Sequence, residues 1–218
     1  YQLNDAWKLG FGFRYSDESK DVFWLLDGST SGVFAIGSTS ADGYVDTRSD
    51  SNFSPTVSLN YAYSDSTQVY GKFSTGFKSG GFNLDYITQA DLDAGVTFDK
   101  ETADSFELGI KTVLLDQRLT LNTALFITNY EDYQVNQFLD LGFDPDTGTQ
   151  LTSIRITNAA KVETSGLELE SVYKVTDDIK IIGSLGFLDA TFDDFPGGSS
   201  ITNPDGTKTP VNSAGNRL

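Results

Sequence analysis

The sequence predicts an all-β chain, an antiparallel transmembrane β-barrel of up-and-down hairpins, with about seven strands of a larger barrel present. Three observations predict it. Apolar and polar residues alternate with period two in seven separate runs, the pattern of strands whose two faces meet different surroundings. Short turns alternate with long polar connections, as in outer-membrane barrels. Runs such as 101–114 and 118–135 exceed the ~5–6 residues of common soluble strands and meet the ~9–11 that a tilted strand needs to cross a bilayer.

The first run puts Trp7, Leu9, Phe11, Phe13 and Tyr15 on one face and Lys8, Gly10, Gly12 and Arg14 on the other, sets that a helix would mix. The second sets Val57, Leu59, Tyr61 and Tyr63 against Thr56, Ser58, Asn60 and Ala62, and the third sets Val69, Phe73 and Phe77 against Tyr70, Lys72, Ser74 and Lys78. Only Ser64 to Thr67 separates these two, which is hairpin spacing with turn chemistry. In the fourth run Phe106, Leu108, Ile110 and Leu114 oppose Ser105, Glu107, Gly109 and Lys111, and Leu115, Asp116 and Gln117 turn the chain into the fifth. There Leu119, Leu121, Leu125 and Ile127 face away from Thr120, Asn122, Ala124 and Thr128. The last hairpin sets Leu167, Leu169 and Tyr173 against Glu168, Glu170 and Lys174, turns at Thr176 to Asp178, and continues with Ile179, Ile181, Leu185 and Phe187 opposite Lys180, Ser184 and Gly186.

Short turns are expected near Asn4, Asp65, Asp116 and Asp177, and long connections over 16–52, 79–100, 139–152 and from 194 onward. Trp7, Tyr15, Phe53, Tyr63, Phe77, Tyr130 and Tyr133 stand near strand ends, where an interfacial aromatic girdle would place them. The chain opens at Tyr1 without a basic-then-apolar leader and stops at Leu218 after a polar stretch, so residues 1–218 read as a partial barrel domain truncated at both ends.

Composition narrows the function classes. With 38% apolar and 13% aromatic residues the chain is too rich in core formers to stay disordered. Its 15 basic against 31 acidic residues give a net charge of −16, which repels nucleic acid. Cysteine and histidine are both absent, which removes disulfides, thiolate sites, the commonest metal ligand and the usual catalytic base. No run reaches the ~18–20 apolar residues of a spanning helix, so a bilayer would be crossed by strands. A soluble antiparallel sandwich also alternates, because one face is core and one is solvated. Long strands, alternating connection lengths and a polar face rich in Gly, Ser, Thr and Asn favour the membrane barrel over it.

Several stretches resemble the barrel of TonB-dependent outer-membrane receptors. The segment Tyr70-Gly71-Lys72-Phe73-Ser74-Thr75-Gly76-Phe77-Lys78-Ser79-Gly80-Gly81-Phe82-Asn83 is similar to the family's upward strand ending in a Gly-rich entry to a loop. Ser105-Phe106-Glu107-Leu108-Gly109-Ile110-Lys111 resembles the strand returning from that loop, and Asn158-Ala159 followed by Gly166-Leu167-Glu168-Leu169-Glu170 resembles the one two strands later. Lys100 departs from the pattern, which often has proline there. The resemblance implies a barrel of roughly 22 strands filled by a plug domain, lying in the bacterial outer membrane among lipid and lipopolysaccharide. It further implies active import of a scarce small-molecule cargo, a ferric siderophore or similar iron complex, with energy from the partner TonB. The rival functions are a passive porin or structural barrel, and a soluble β-sheet binding protein.

Candidate contacts to cargo or plug are Arg14, Lys72, Lys78, Glu107 and Glu168, with Lys111, Glu170 and Lys174 on the same face. The plain alternative is that these charges pair across strands, at about 0.2–1 kcal/mol each. Asp91-Leu92-Asp93 and Asp144-Pro145-Asp146-Thr147-Gly148 supply hard oxygen ligands but lack the spaced set of a calcium loop, so no metal site is assigned. No cofactor is expected. No nucleophile stands with a base, and Glu168 and Glu170 project from one face of one strand, so no catalytic residue is assigned and the chain is not read as an enzyme.

Overall fold

The computed structural model describes residues 1–24, 44–84, 95–143, 148, 150–204 and 206–218. Seven strands form one antiparallel sheet in the order β1 (Trp7–Trp24), β2 (Tyr44–Ser64), β3 (Thr67–Lys78), β6 (Glu101–Leu114), β7 (Leu119–Phe143), β8 (Gln150–Lys174) and β9 (Lys180–Asp194). Two small hairpins sit at its loop end: β4 (Gly81–Phe82) with β5 (Thr97–Phe98), and β10 (Ser199–Thr202) with β11 (Lys208–Val211).

The four predicted short turns all lie at the opposite end, each with a local reason; at Asp65 the Ser66 amide donates to Ser64 Oγ at 3.3 Å. Asn4 Oδ1 accepts the amides of Ala6 and Trp7 at 3.0 and 2.9 Å, and Thr176 Oγ1 accepts those of Asp178 and Ile179 at 3.3 and 3.1 Å, so a short polar side chain closes each turn. Leu115, Asp116 and Gln117 hold φ of 54°, 52° and 68°, three left-handed residues in succession. Arg118 braces this turn against its neighbour by donating to the carbonyls of Lys174 and Val175.

Register confirms the face assignment. Leu9, Leu59, Gly71, Leu108, Leu125, Leu167 and Phe187 lie directly opposite one another across all seven strands. One residue away, Gly10, Ser58, Lys72, Glu107, Phe126, Gly166 and Leu188 form a row on the other face. Nothing among the described residues covers the first face: Phe11 is 72% exposed, Phe13 78% and Phe187 67%. A contiguous apolar surface of this extent is untenable in water, and a sandwich would need a second layer over it. Among the described residues the buried hydrophobic ones are Val96, Ala160, Val162 and Phe195, all near the loop end, and none of them forms a core beneath the middle of the sheet. The apolar stretch also drifts along the ladder, from Trp7–Tyr15 on β1 to 181–187 on β9. A level membrane cutting tilted strands crosses successive strands at different residues, which produces that drift.

The structure corrects the sequence reading at the loop end. In the connection expected over 16–52 the described residues 16–24 and 44–52 are strand, because the β1–β2 ladder continues from Ser16↔Asn52 to Trp24↔Tyr44. The one expected over 139–152 is likewise strand up to Phe143 and from Gln150. Beyond the membrane both faces of a hairpin meet water, so the alternation that marks a strand fades while the hydrogen bonds continue. Connections 79–100 and 194 onward carry the two small hairpins. Tyr130 and Tyr133 do not join a girdle: they pack with Ala160, Val162, Val135, Phe192 and Phe195. Tyr130 pairs with Ala103 and Val162 and so points to the polar face. A bulge at Tyr130–Gln134, with Asp132 at φ 54°, re-aims the chain there.

Candidate functional site

The polar face gathers charges in its turn-side half. Lys72 and Glu107 are directly paired residues of β3 and β6, with Nζ 3.9 Å from Oε2. Tyr70 Oη donates to Glu107 Oε1 at 2.5 Å, and Lys111 Nζ lies 5.4 Å from the Tyr70 ring centre. Tyr70 reaches this position because its partner is Gly109: a Cβ there would stand 2.5 Å from the tyrosine ring. Gly166 plays the same part for Phe126, whose ring leaves no room for a side chain. Tyr70, Glu107, Lys111, Asn122, Ala124, Glu168 and Glu170 line a recess of about 160 Å³.

Of the sequence-predicted residues, Lys72, Glu107 and Glu168 are thus brought together. The cross-strand pairing alternative holds for Lys72 with Glu107, whereas Glu168 and Glu170 have no cationic partner among the described residues. Arg14, opposite Ser54, and Lys78, opposite Glu101, lie nearer the loop end, outside the recess and without an ion pair among the described residues. Lys174 turns away to Asp177 at 2.7 Å. The larger depression, about 670 Å³, is on the other face, where Gly71 interrupts the leucine row between Leu59 and Leu108. Apart from Ser165, the side chains it takes from this face, among them Val57, Leu59, Phe73, Phe106, Leu108 and Leu125, are apolar, which suits lipid chains and not a polar cargo.

A second polar assembly, unforeseen in the sequence, occupies the loop end of the same face. β3 and β6 stop at Lys78 and Glu101, while β1, β2, β7 and β8 run on past them. The arms 79–84 and 95–100 therefore find walls on both sides. Toward β1 and β2, Lys20 Nζ donates to Ser79 Oγ and to the Gly80 carbonyl at 2.5 Å each, and the Gly80 amide donates to Asp50 Oδ2 at 3.1 Å. Arg48 donates to both Asp50 oxygens at 2.8 Å and to Asp99 Oδ1 at 3.1 Å. Toward β7 and β8, Gln134 Nε2 donates to the Ser79 and Asp99 carbonyls at 2.9 and 3.0 Å, and Asn158 Oδ1 accepts the Asp99 amide at 2.6 Å. Asn83 makes a two-way bond with the Ile156 backbone, 2.8 Å each way. Val96 is buried against Trp24, Tyr44, Phe82 and Leu84.

The hydrogen bonds from Arg48 hold the Asp50 carboxyl below the usual aspartate range despite its burial, and the same bonds raise Arg48. Burial, with the Asp46 carboxylate as acceptor, pushes the Tyr44 hydroxyl up to about 12. The spacing Arg48-x-Asp50 places both side chains on one face and could have flagged the pair; nothing local points to Gln134, Asn158 or Asn83. The acidic stretch Asp91-Leu92-Asp93, and residues 144–147 of the other, lie outside the described residues. Among the described residues no cluster of metal-ligating side chains forms.

Comparison with known proteins follows the same lines. A family described as "TonB dependent receptor-like, beta-barrel" matches residues 1–218. The pesticin receptor of Yersinia enterocolitica is 27% identical over 174 residues, covering 80% of this chain and 22% of its own length. The probable TonB-dependent siderophore receptor PiuA of Acinetobacter baumannii is 23% identical over 191 residues, 87% of this chain and 22% of the relative. The crystal structure of the ferric yersiniabactin uptake receptor FyuA from Yersinia pestis superposes with a TM-score of 0.64 at 20% identity, over 99% of this chain and 27% of that one. The chain thus spans about a fifth of the length of the curated relatives it matches.

Proposed function

The chain belongs to the TonB-dependent receptor β-barrel family and lies in the outer membrane of Gram-negative bacteria, and from that premise we propose that it forms part of the wall of a receptor that binds a ferric siderophore or similar iron complex and imports it with energy delivered through TonB. One observation carries the reading: a single sheet with an uncovered apolar face toward lipid and an opposite face whose carboxylates Glu168 and Glu170 lack a cation among the described residues. A lumen filled by the protein's own plug domain would supply that cation, so Glu168, with Glu170 beside it, is assigned to the plug, whereas Glu107 already has Lys72. Arg14 and Lys78, nearer the mouth, are assigned to an anionic cargo. Residues 1–218 are read as a partial barrel domain, seven of roughly 22 strands. The bridges Gln2↔Lys8 and Thr191↔Arg217, on the free edges of β1 and β9, support a sheet that continues both ways.

Supporting the cargo class are the relatives, one described as a probable TonB-dependent siderophore receptor and another as a ferric yersiniabactin uptake receptor. The test is uptake of radiolabelled iron by iron-starved source cells with and without the receptor, each in the presence and absence of TonB. Uptake that needs both supports the proposal. Equal uptake without TonB would make the barrel a passive pore, and no dependence on the receptor would remove iron as its cargo.

A further inference from the structure

The arms 79–84 and 95–100 are tied to four strands at once, and that arrangement suits a fixed part better than a moving one. Lys20 holds them to β1, Arg48 and Asp50 to β2, Gln134 to β7, and Asn158 with the Ile156 backbone to β8. A hinge of this loop would have to release all of these contacts together. Gly80 adds a steric reason: its amide and carbonyl are both engaged, and a Cβ there would meet the Phe98 carbonyl and Arg48 Nε. The Arg48 guanidinium is largely shielded, with its side chain 15% exposed, and divides its donors between Asp50 on the wall and Asp99 on the arm. Lys100 Nζ, donating to the Ser51 carbonyl at 2.8 Å, ties the end of the second arm to β2 as well.

We infer that these two arms form a fixed ledge on the inner wall, locked by the Arg48–Asp50 pair and the Asn83–Ile156 bond. The ledge lies on the same face as the recess of Tyr70, Glu107 and Glu168, toward the loop end, and stays in place while cargo passes. The passage of cargo rests on the proposed uptake function, whereas the rigidity of the ledge does not.

Hydrogen exchange read by mass spectrometry on the intact receptor in detergent tests it. In the native protein, peptides covering 79–84 and 95–100 exchange as slowly as β3 and β6, at least ~100-fold slower than unstructured chain. Arg48→Ala and Asn83→Ala each speed exchange in both arms by ~10-fold or more and leave the strand peptides unchanged. Heat-modifiable migration on a gel shows whether each variant barrel has folded, and Asn83→Ala decides alone if Arg48→Ala does not fold. Native arms that exchange at the pace of unstructured chain, or arms unmoved by substitution, would overturn the ledge. Rigid arms in a receptor that imports no iron would keep the ledge and refute the uptake reading.

Discussion

Replacing Leu108 with arginine tests the assignment of the apolar face to lipid more directly than any other single change. Leu108 lies in the leucine row, flanked by Gly71 and Leu125, and is 56% exposed. If that exposed surface meets hydrocarbon, an arginine near the bilayer midplane costs about 2–4 kcal/mol. Loss of the leucine removes a further ~1.5–3 kcal/mol of apolar transfer. The sum is about 3.5–7 kcal/mol, over a hundredfold in the folding equilibrium at about 1.4 kcal/mol per factor of ten. Leu114→Arg is the matched control: it shares the face but adjoins the 115–118 turn, where an arginine head costs only about 0–1 kcal/mol. Urea unfolding of the receptor in lipid vesicles measures both. A Leu108→Arg cost below ~1 kcal/mol, or equal to that of Leu114→Arg, would refute a lipid-facing role for this face.

Other expectations follow from the polar face and the loop end. Tyr70→Phe removes the donor to Glu107 and lowers stability by about 1.5–3 kcal/mol, the usual worth of a hydrogen bond to a charged group, read from the same urea transitions. Gly166→Ala forces a methyl against Phe126 and the Phe187 carbonyl and costs about 1–3 kcal/mol, whereas Gly12→Ala, with open space around it, costs less than ~1. Phe195→Ala empties the small cluster with Ala160 and Val162, and exchange in 195–213 rises while the amides of β6 stay protected. Asp50 has a depressed pKa when folded, so its contribution to holding the arms is complete above the ordinary aspartate value of ~3.9 and is lost as pH falls through the depressed one. The protection of residues 79–84, which is their exchange rate relative to that of unstructured chain at the same pH, then falls only on the acid side. A loss of protection already at neutral pH would remove Asp50 from the lock.

Much of the wall was legible because strand periodicity is strict. Once one face must meet lipid, a slip of one residue would turn every apolar side chain inward, so the alternation of Trp7 to Tyr15, Val57 to Tyr63 and Phe106 to Leu114 determines both the strands and their faces. The turns were legible because Asn4, Thr176 and the Leu115–Gln117 step are locally encoded. The same logic placed Lys72, Glu107 and Glu168 on one face.

What the tertiary structure decided depends on partners distant in the chain. Outside the membrane the two faces of a strand no longer differ in solvent, so Asp17 to Trp24 and Tyr44 to Ser51 lost the periodic mark and read as loop, although their ladder is unbroken. Tyr130 and Tyr133 read as girdle residues until a bulge and Phe195 supplied them with an inner cluster. The ledge was beyond sequence reasoning, because Arg48, Gly80, Asp99, Gln134 and Asn158 meet only once β3 and β6 stop short of their neighbours. Local sequence determines the direction in which a side chain points; the unequal lengths of the assembled strands determine what it meets there.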